Sequence, residues 1–384
     1  MHAKNTVRYF LVIIAVILFS FFSNDFNLIN VQSTAIVTAI AIDRENEEFS
    51  ISAQIAIPAA KSSSGKSDSQ GQSGGSGGGN GSFASIEGKG GTIAQAIEAI
   101  NGKTGWYPKL VFCRLLILGQ SLCESNVFDA LDYFLRGEYV AHDCLLAAAE
   151  GKASEILAAK TPLGSTSSLA IEKVLSDQAM RVGASLPNTL REFSISYFSA
   201  AKSGYMPIVK KEKEGEDEIV SASETALFIA GKQIGKLDKR ETFALACIKT
   251  PLRLAGYSVE NEGASNTLTV KNNRRKLKFF VDGDQPKMEI KLTMYAGIAD
   301  VSKSMPVEDI ADIGDLPKGV LSVASEQLKA QLNGLIEKCR ALSFDAFDAI
   351  GKLQKYEHKH FSTLKDSLIE RMQVSLTVDF EGIR

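Results

Sequence analysis

The residues from which a chemical site could be assembled in this 384-residue chain are few and dispersed. His358 and His360 stand at alternate positions in KYEHKHF, a spacing that grips a metal only with a third ligand nearby, and solvated imidazoles are the simpler reading. His142 precedes an expected strand, and His2 lies ahead of an apolar run that separates it from the rest of the chain. Gly71-Gln72-Ser73-Gly74-Gly75 satisfies the G-x-S-x-G pattern of hydrolase nucleophiles, but that motif works on a strained strand-to-helix turn and here falls inside a Gly/Ser tract. Gly65-Lys66-Ser67 and Gly102-Lys103-Thr104 lack the earlier glycine of a phosphate loop, with Ala60 and Ile97 in its place. The acid pairs Asp129/Asp132 and Asp345/Asp348 have ordinary helical spacing and are expected on exposed helix faces, not as a glycosidase dyad. Trp106, in GWYPKL, is a possible ligand platform but more simply a packing or turn residue. Cys113, Cys123, Cys144, Cys247 and Cys339 form no CxxC pair or Cys/His cluster and read as small buried hydrophobes. No catalytic residue, cofactor ligand or metal ligand is assigned.

The elements that carry these residues begin with RYFLVIIAVILFSFF, Arg8 to Phe22. Lys4 and Arg8 precede the apolar run, so the amino terminus stays in the cytoplasm and the bulk is exported. Tyr9 to Phe22 is fourteen residues, about 21 Å of helix. Val7 and Ser23 extend it to roughly 17 residues, the low end for a membrane span. Cleavage needs small residues before the cut, whereas Ser20-Phe21-Phe22-Ser23 places phenylalanines there, which favours an uncleaved anchor over 8–23. A formal charge of −2 gives no reason to expect a nucleic-acid partner.

Beyond the anchor, Thr34 to Ile42 and Glu48 to Ile57 flank a polar turn and predict a β-hairpin with one buried face. Lys61 to Ser82 is a Gly/Ser tract too polar to offset its ordering entropy, expected as a long flexible loop inside a domain. Helices are expected over 92–101, 127–135, 152–160, 168–182 and 189–198, with strands over 110–118 and 143–149. Lys210 to Glu218 is expected as a solvated turn, followed by a hairpin about Ala230-Gly231 and a helix opened by Asp238. Three strands are expected over 267–271, 277–281 and 287–295. A long amphipathic helix over 319–342, a second helix over 345–355 and a closing strand over 373–380 complete the chain. The fold class is α+β: several mixed α/β domains with antiparallel and mixed sheets after an N-terminal membrane anchor. The expected domains are 30–200, containing loop 61–82, and 220–384.

This order of segments resembles the Ger(x)C family, the C subunits of spore germinant receptors. AIVTAIAID with FSISAQIAIP is similar to the family's opening hairpin. GKGGTIAQAIEAI, LVFCRLLILGQSL and VFDALDYFLRGEY are similar to its helix, strand and helix. ETALFIAGKQIGKLDKRETFALACIK carries the central hairpin and a helix start at Leu237, Asp238, Glu241 and Thr242. The long helix, FDAFDAIGKL and the terminal strand match the ending. The resemblance implies a non-enzymatic extracytoplasmic subunit on the inner spore or cell membrane, assembled with integral A-type and B-type subunits. No cofactor is implied, and a nutrient ligand enters only through the complex. Family members typically carry a lipidated cysteine after the signal, and here Ser23-Asn24-Asp25 stands instead, so a transmembrane helix would take over the lipid's role. Two other classes fit an anchored, exported chain: an envelope hydrolase using acids such as Asp129 or Glu138, and a stand-alone solute-binding protein.

Overall fold

The computed structural model describes residues 12–17, 34–56, 83–137, 140–162, 166–215, 217–261, 263–301 and 319–383. Of the expected anchor, 12–17 is helical with Val12, Ile13, Val16 and Ile17 exposed, and the remainder lies outside the described residues. Among the described residues no helix is long and apolar enough to cross a membrane. The Gly/Ser tract, with its G-x-S-x-G match and Gly65-Lys66-Ser67, also lies outside them, as does Glu138.

Strand β1 (Thr34–Glu45) is built from β-branched and alanine residues that sort by face. Val37, Ile40 and Ile42 point to one core, Ala39 and Ala41 to another. The alanine face leaves room for helices to approach closely, so the sheet is covered on both sides. β1 pairs antiparallel with β2 (Glu48–Ala56), which pairs antiparallel with β3 (Phe83–Gly90). The expected polar face of β2 is buried too: Ser50, Ser52 and Gln54 are all covered, and Gln54 Nε2 donates to Ser167 Oγ at 3.3 Å from an overlying helix. Alternation alone does not reveal a second covering layer.

Helix α1 (Ile93–Thr104) is capped by Thr92 and packs on β3, where Gly88 lies so close that an added Cβ would fall 2.0 Å from the Ala96 carbonyl oxygen. Next come β4 (Tyr107–Lys109), a 3₁₀ turn over Leu110–Phe112, and β5 (Leu115–Leu118). The apolar run 110–118 is therefore not one buried strand: the turn brings Val111 and Phe112 to the surface. Helices α2 (Gln120–Glu124) and α3 (Phe128–Arg136) lead to β6 (Leu145–Ala149), and α4 (Ala153–Leu157) follows. The helix expected over 168–182 is two, α5 (Ser167–Val174) and α6 (Asp177–Arg181), because Ser176 caps the second by accepting from Ala179 N. A two-residue β7 (Asn188–Thr189) enters α7 (Leu190–Phe198), whose start is a Thr189/Glu192 capping box.

Strands β8 (Ser203–Glu214), β9 (Asp217–Ile229) and β10 (Lys232–Leu237) extend the same sheet. The charge run at 210–218 is the exposed tip of the β8–β9 hairpin, with strand pairing reaching further into the expected turn than its charge suggests: Lys211 pairs with Glu218 at 3.3 Å. Ala230 and Gly231, both at positive φ, make the β9–β10 turn. The resulting ten-stranded mixed sheet runs β10-β9-β8-β6-β5-β1-β2-β3, with β4 added to β1 and β7 to β6.

Helix α8 (Lys239–Lys249) opens with an Asp238/Glu241 capping box. A second, four-stranded sheet follows: β11 (Ala255–Asn261), β12 (Ala264–Asp282), β13 (Gln285–Val301) and β14 (Gln373–Gly382). β12 is continuous through the basic stretch 272–276 that interrupts the apolar pattern, because every residue there is held by pairing to β13. Helix α9 (Val320–Ala341) buries Ala324, Leu328, Leu332, Leu335 and Cys339 against that sheet, and α10 (Ala349–Tyr356), α11 (His358–Leu364) and α12 (Leu368–Arg371) close the core. β9 joins the parts: Ala226 and Phe228 enter one core of the large sheet, Val220 and Ala222 the other, and Leu227 the core of the second sheet.

Candidate interaction surface

The sequence-selected acids and imidazoles do not converge. Asp129 accepts from Arg44 Nη1 at 2.9 Å, and Asp132 from Arg136 Nε at 2.6 Å, so each serves a surface ion pair. His358 and His360 lie on α11, where residues two apart project to opposite sides, and His358 stacks on Phe361. Among the described residues no three His, Cys, Asp or Glu side chains group as a metal would require. Gly102-Lys103-Thr104 occupies the C-terminal turn of α1, the wrong end for an anion, and Lys103 Nζ donates to the Glu87 carbonyl at 2.7 Å. All five cysteines are buried and free, and burial lifts the thiols of Cys123 and Cys247 far above their usual range and that of Cys339 to about 12, so these three are not ready nucleophiles. The cavity beneath residues 344–347, lined by Ile336, Cys339, Phe344 and Met372, measures about 10 Å³, room for one water.

Buried polar contacts invisible in the sequence organise the molecule. Asp43, only 4% exposed, accepts from Ala153 N at 2.7 Å and Ser154 N at 2.9 Å, satisfying the first amides of α4 from across the sheet. Gly119 is needed beside it, since a Cβ there would sit 2.1 Å from Asp43 Oδ1. Asp345 differs from its expected place on an exposed helix face: it is buried, and its carboxylate accepts from Phe347 N (3.2 Å), Ala349 N (2.8 Å) and Ile350 N (2.8 Å) to start α10. Its own amide donates to Ser203 Oγ of β8 at 3.3 Å, tying the second core to the large sheet.

Lys249 lies at the same junction. Its ammonium sits 5.8 Å from the centroid of the Tyr205 ring and makes no ion pair among the described residues. Burial lowers its pKa, partly countered by the Asp345 charge, while burial raises the Tyr205 phenol to about 12. On the large sheet, Lys210 reaches Glu224 at 2.7 Å and Glu150 at 3.2 Å, and Lys236 reaches Glu224 at 3.1 Å. Burial pulls Lys210 down, but its bonds to Glu224 and Glu150 outweigh that and hold it above the usual range.

The outward-facing residues of greatest interest are apolar. Trp106 (37% exposed), Tyr107 (51%), Val111 (39%) and Phe112 (51%) lie in one surface segment, while Pro108 and Leu110 between them and Cys113 after them are buried. Trp106 was legible in the sequence as a solitary aromatic; Val111 and Phe112 were not, because a buried strand and a 3₁₀ turn share the same apolar composition.

Two family descriptions match this chain in order. Residues 28–211 match "Spore germination protein N-terminal domain", and residues 223–384 match "Spore germination B3/ GerAC like, C-terminal". The chain belongs to this spore-germination family. A solved structure with a similar fold is the "Crystal Structure of the GerBC protein", at 16% identity and a TM-score of 0.55, covering 90% of this chain and 97% of that one. No curated protein sequence matches the chain. The resemblance read from the segment order is thereby established, as is the mixed α+β fold. The four stretches that carried it are structural: the opening hairpin holds Asp43, the GKGG segment holds Gly88, the Asp238/Glu241 pair is the capping box of α8, and FDAFDAIGKL holds Asp345.

Proposed function

We propose that this family member is a non-enzymatic subunit of a spore nutrient-germinant receptor. It is held in the inner spore or cell membrane by the helix of residues 8–23, with the bulk of the chain outside the cytoplasm, and it assembles with integral A-type and B-type subunits. The observation that carries this reading is the collinear match of the two germination-family descriptions over 28–211 and 223–384, directly after an apolar run led by Lys4 and Arg8. The surface described above supports it, since carboxylates that a hydrolase would need are engaged in structural bonds at Asp43, Asp129, Asp132 and Asp345. The protein's role is then to bridge and position membrane subunits, and nutrient reaches it only within the complex.

The test is a crosslinked pull-down of the tagged full-length chain from host membranes, with co-purifying proteins identified by mass spectrometry. Recovery of polytopic germination-type subunits is the expected result. An intact, membrane-bound bait that captures none of them overturns the assignment.

A further inference from the structure

We infer that Trp106, Tyr107, Val111 and Phe112 form a rim that sits in the headgroup layer of an anionic bilayer, beside the point where the chain arrives from its membrane anchor. The inference rests on the reading of residues 8–23 as that anchor.

The segment is built to present these side chains. Gly105, at φ 66°, ends α1 in the left-handed conformation and turns the chain outward. The Trp106 amide is then pinned, donating to Thr104 Oγ1 at 3.1 Å, whose single hydroxyl proton is shared between the Ile100 and Trp106 carbonyls at 3.0 and 3.1 Å. β4 adds to β1 in parallel, and the 3₁₀ turn closes with Cys113 N donating to the Leu110 carbonyl at 2.9 Å. Pro108, Leu110 and Cys113 supply the buried contacts. The four outward apolar residues are therefore not needed by the core, and they fall within residues 106–112 as two pairs flanking Lys109.

Position selects the occupant. Tyr107 is the register partner of Thr34, the first residue of β1. Only ten residues, 24–33, separate Thr34 from Ser23 at the end of the apolar run. Such a stretch spans at most about 36 Å even when fully extended. The rim thus lies within one inter-strand distance of the point from which that short stretch runs back toward the anchor.

Charge agrees. From Ala99 to Cys123 the chain contains Lys103, Lys109 and Arg114 and no Asp or Glu. Lys109 is exposed, lies between the two apolar pairs and makes no ion pair among the described residues. Arg114 is 77% exposed, with a 3.5 Å contact to Glu172. Aromatic rings with basic neighbours are the composition of the membrane–water interface, where an indole or phenol keeps its polar edge wet and its ring among the acyl chains. Lys and Arg favour the negatively charged lipid surface.

The chain has one tryptophan, so intrinsic fluorescence reports on the rim alone. The full-length protein would be reconstituted into phosphatidylcholine vesicles with and without phosphatidylglycerol, and flotation, Trp106 emission, quenching by brominated acyl chains and quenching by aqueous iodide would be measured. With phosphatidylglycerol, the expected result is flotation that resists high salt, blue-shifted emission, strong bromolipid quenching and iodide quenching several-fold weaker than in detergent. Phe112→Ser combined with Val111→Ser should leave flotation intact and restore iodide access. Flotation with Trp106 fully open to iodide overturns the rim while leaving the anchor standing. Shielding from iodide without bromolipid quenching also overturns it, because the cover is then protein: the chain's own apolar helix, a second copy or another subunit. Bromolipid quenching at low salt without salt-resistant flotation supports the rim and overturns the anchor. Neither quenching nor flotation overturns both.

Discussion

Replacing Asp345 tests whether one buried carboxylate starts helix α10 beside the junction between the two sheets. In Asp345→Ala the amides of Phe347, Ala349 and Ile350 lose their acceptor. Ala349 is fully buried, Ile350 is half-buried, and the Phe347 bond is the longest of the three at 3.2 Å. A buried amide without an acceptor costs about 1–3 kcal/mol, so one full penalty and two partial ones come to about 3–5 kcal/mol. Asp345→Asn keeps one oxygen for Phe347 and Ala349 but turns an amide nitrogen toward the Ile350 N–H, losing one bond and about 1–2 kcal/mol. Because global unfolding averages over several cores, the readout local to this cap is native-state hydrogen exchange at the Ala349 and Ile350 amides. Because Asp345 also lies near the Lys249 ammonium, each variant is measured again with Lys249→Met, closing a double-mutant cycle. The expected order is Ala more damaging than Asn, with the Asn effect unchanged by the second substitution. A loss below about 1 kcal/mol in Asp345→Ala refutes the capping argument. An Asn effect that disappears beside Lys249→Met shows instead that the carboxylate acts through its charge.

Three further outcomes follow from single features. Lys249 has a folded-state pKa below its unfolded value, so between the two the unfolded chain binds more protons and stability rises with pH; Lys249→Met should raise the urea midpoint near neutral pH and remove that alkaline gain, and a lower midpoint would mean the Tyr205 and Asp345 contacts outweigh burial. Gly88→Ala drives a Cβ into the Ala96 carbonyl and should destabilise by about 1–3 kcal/mol, whereas Gly102→Ala, with open space around it in the same segment, should be neutral or stabilising by about 0.4–1 kcal/mol in thermal melts. Ala56 and Phe83 are register partners, so the strands flanking residues 61–82 meet directly, and deleting that tract should leave the thermal midpoint nearly unchanged; a collapse of the transition would place the tract in the core.

The elements that the sequence announces are those whose signal is local. The α8 capping box, the Ala230-Gly231 turn and the leucine stripe of α9 each lie within a few residues, and each forms where its pattern places it. Segment order carried the family, because relatives keep the succession of such elements. Burial of charge was not legible, since Asp43 meets α4 over 100 positions away, and Asp345, whose carboxylate bonds local amides, is placed at the junction through its backbone amide, which meets Ser203 across 142 positions. The same limit hid the second covered face of β2 and the outward turn of Val111 and Phe112. Periodicity reports one face against one partner, and these residues answer to neighbours contributed by other elements. The sequence by itself determined local helices, turns and kinship; only tertiary packing decided which carboxylates are buried, which lysine is left without an ion pair among the described residues and which apolar residues face outward.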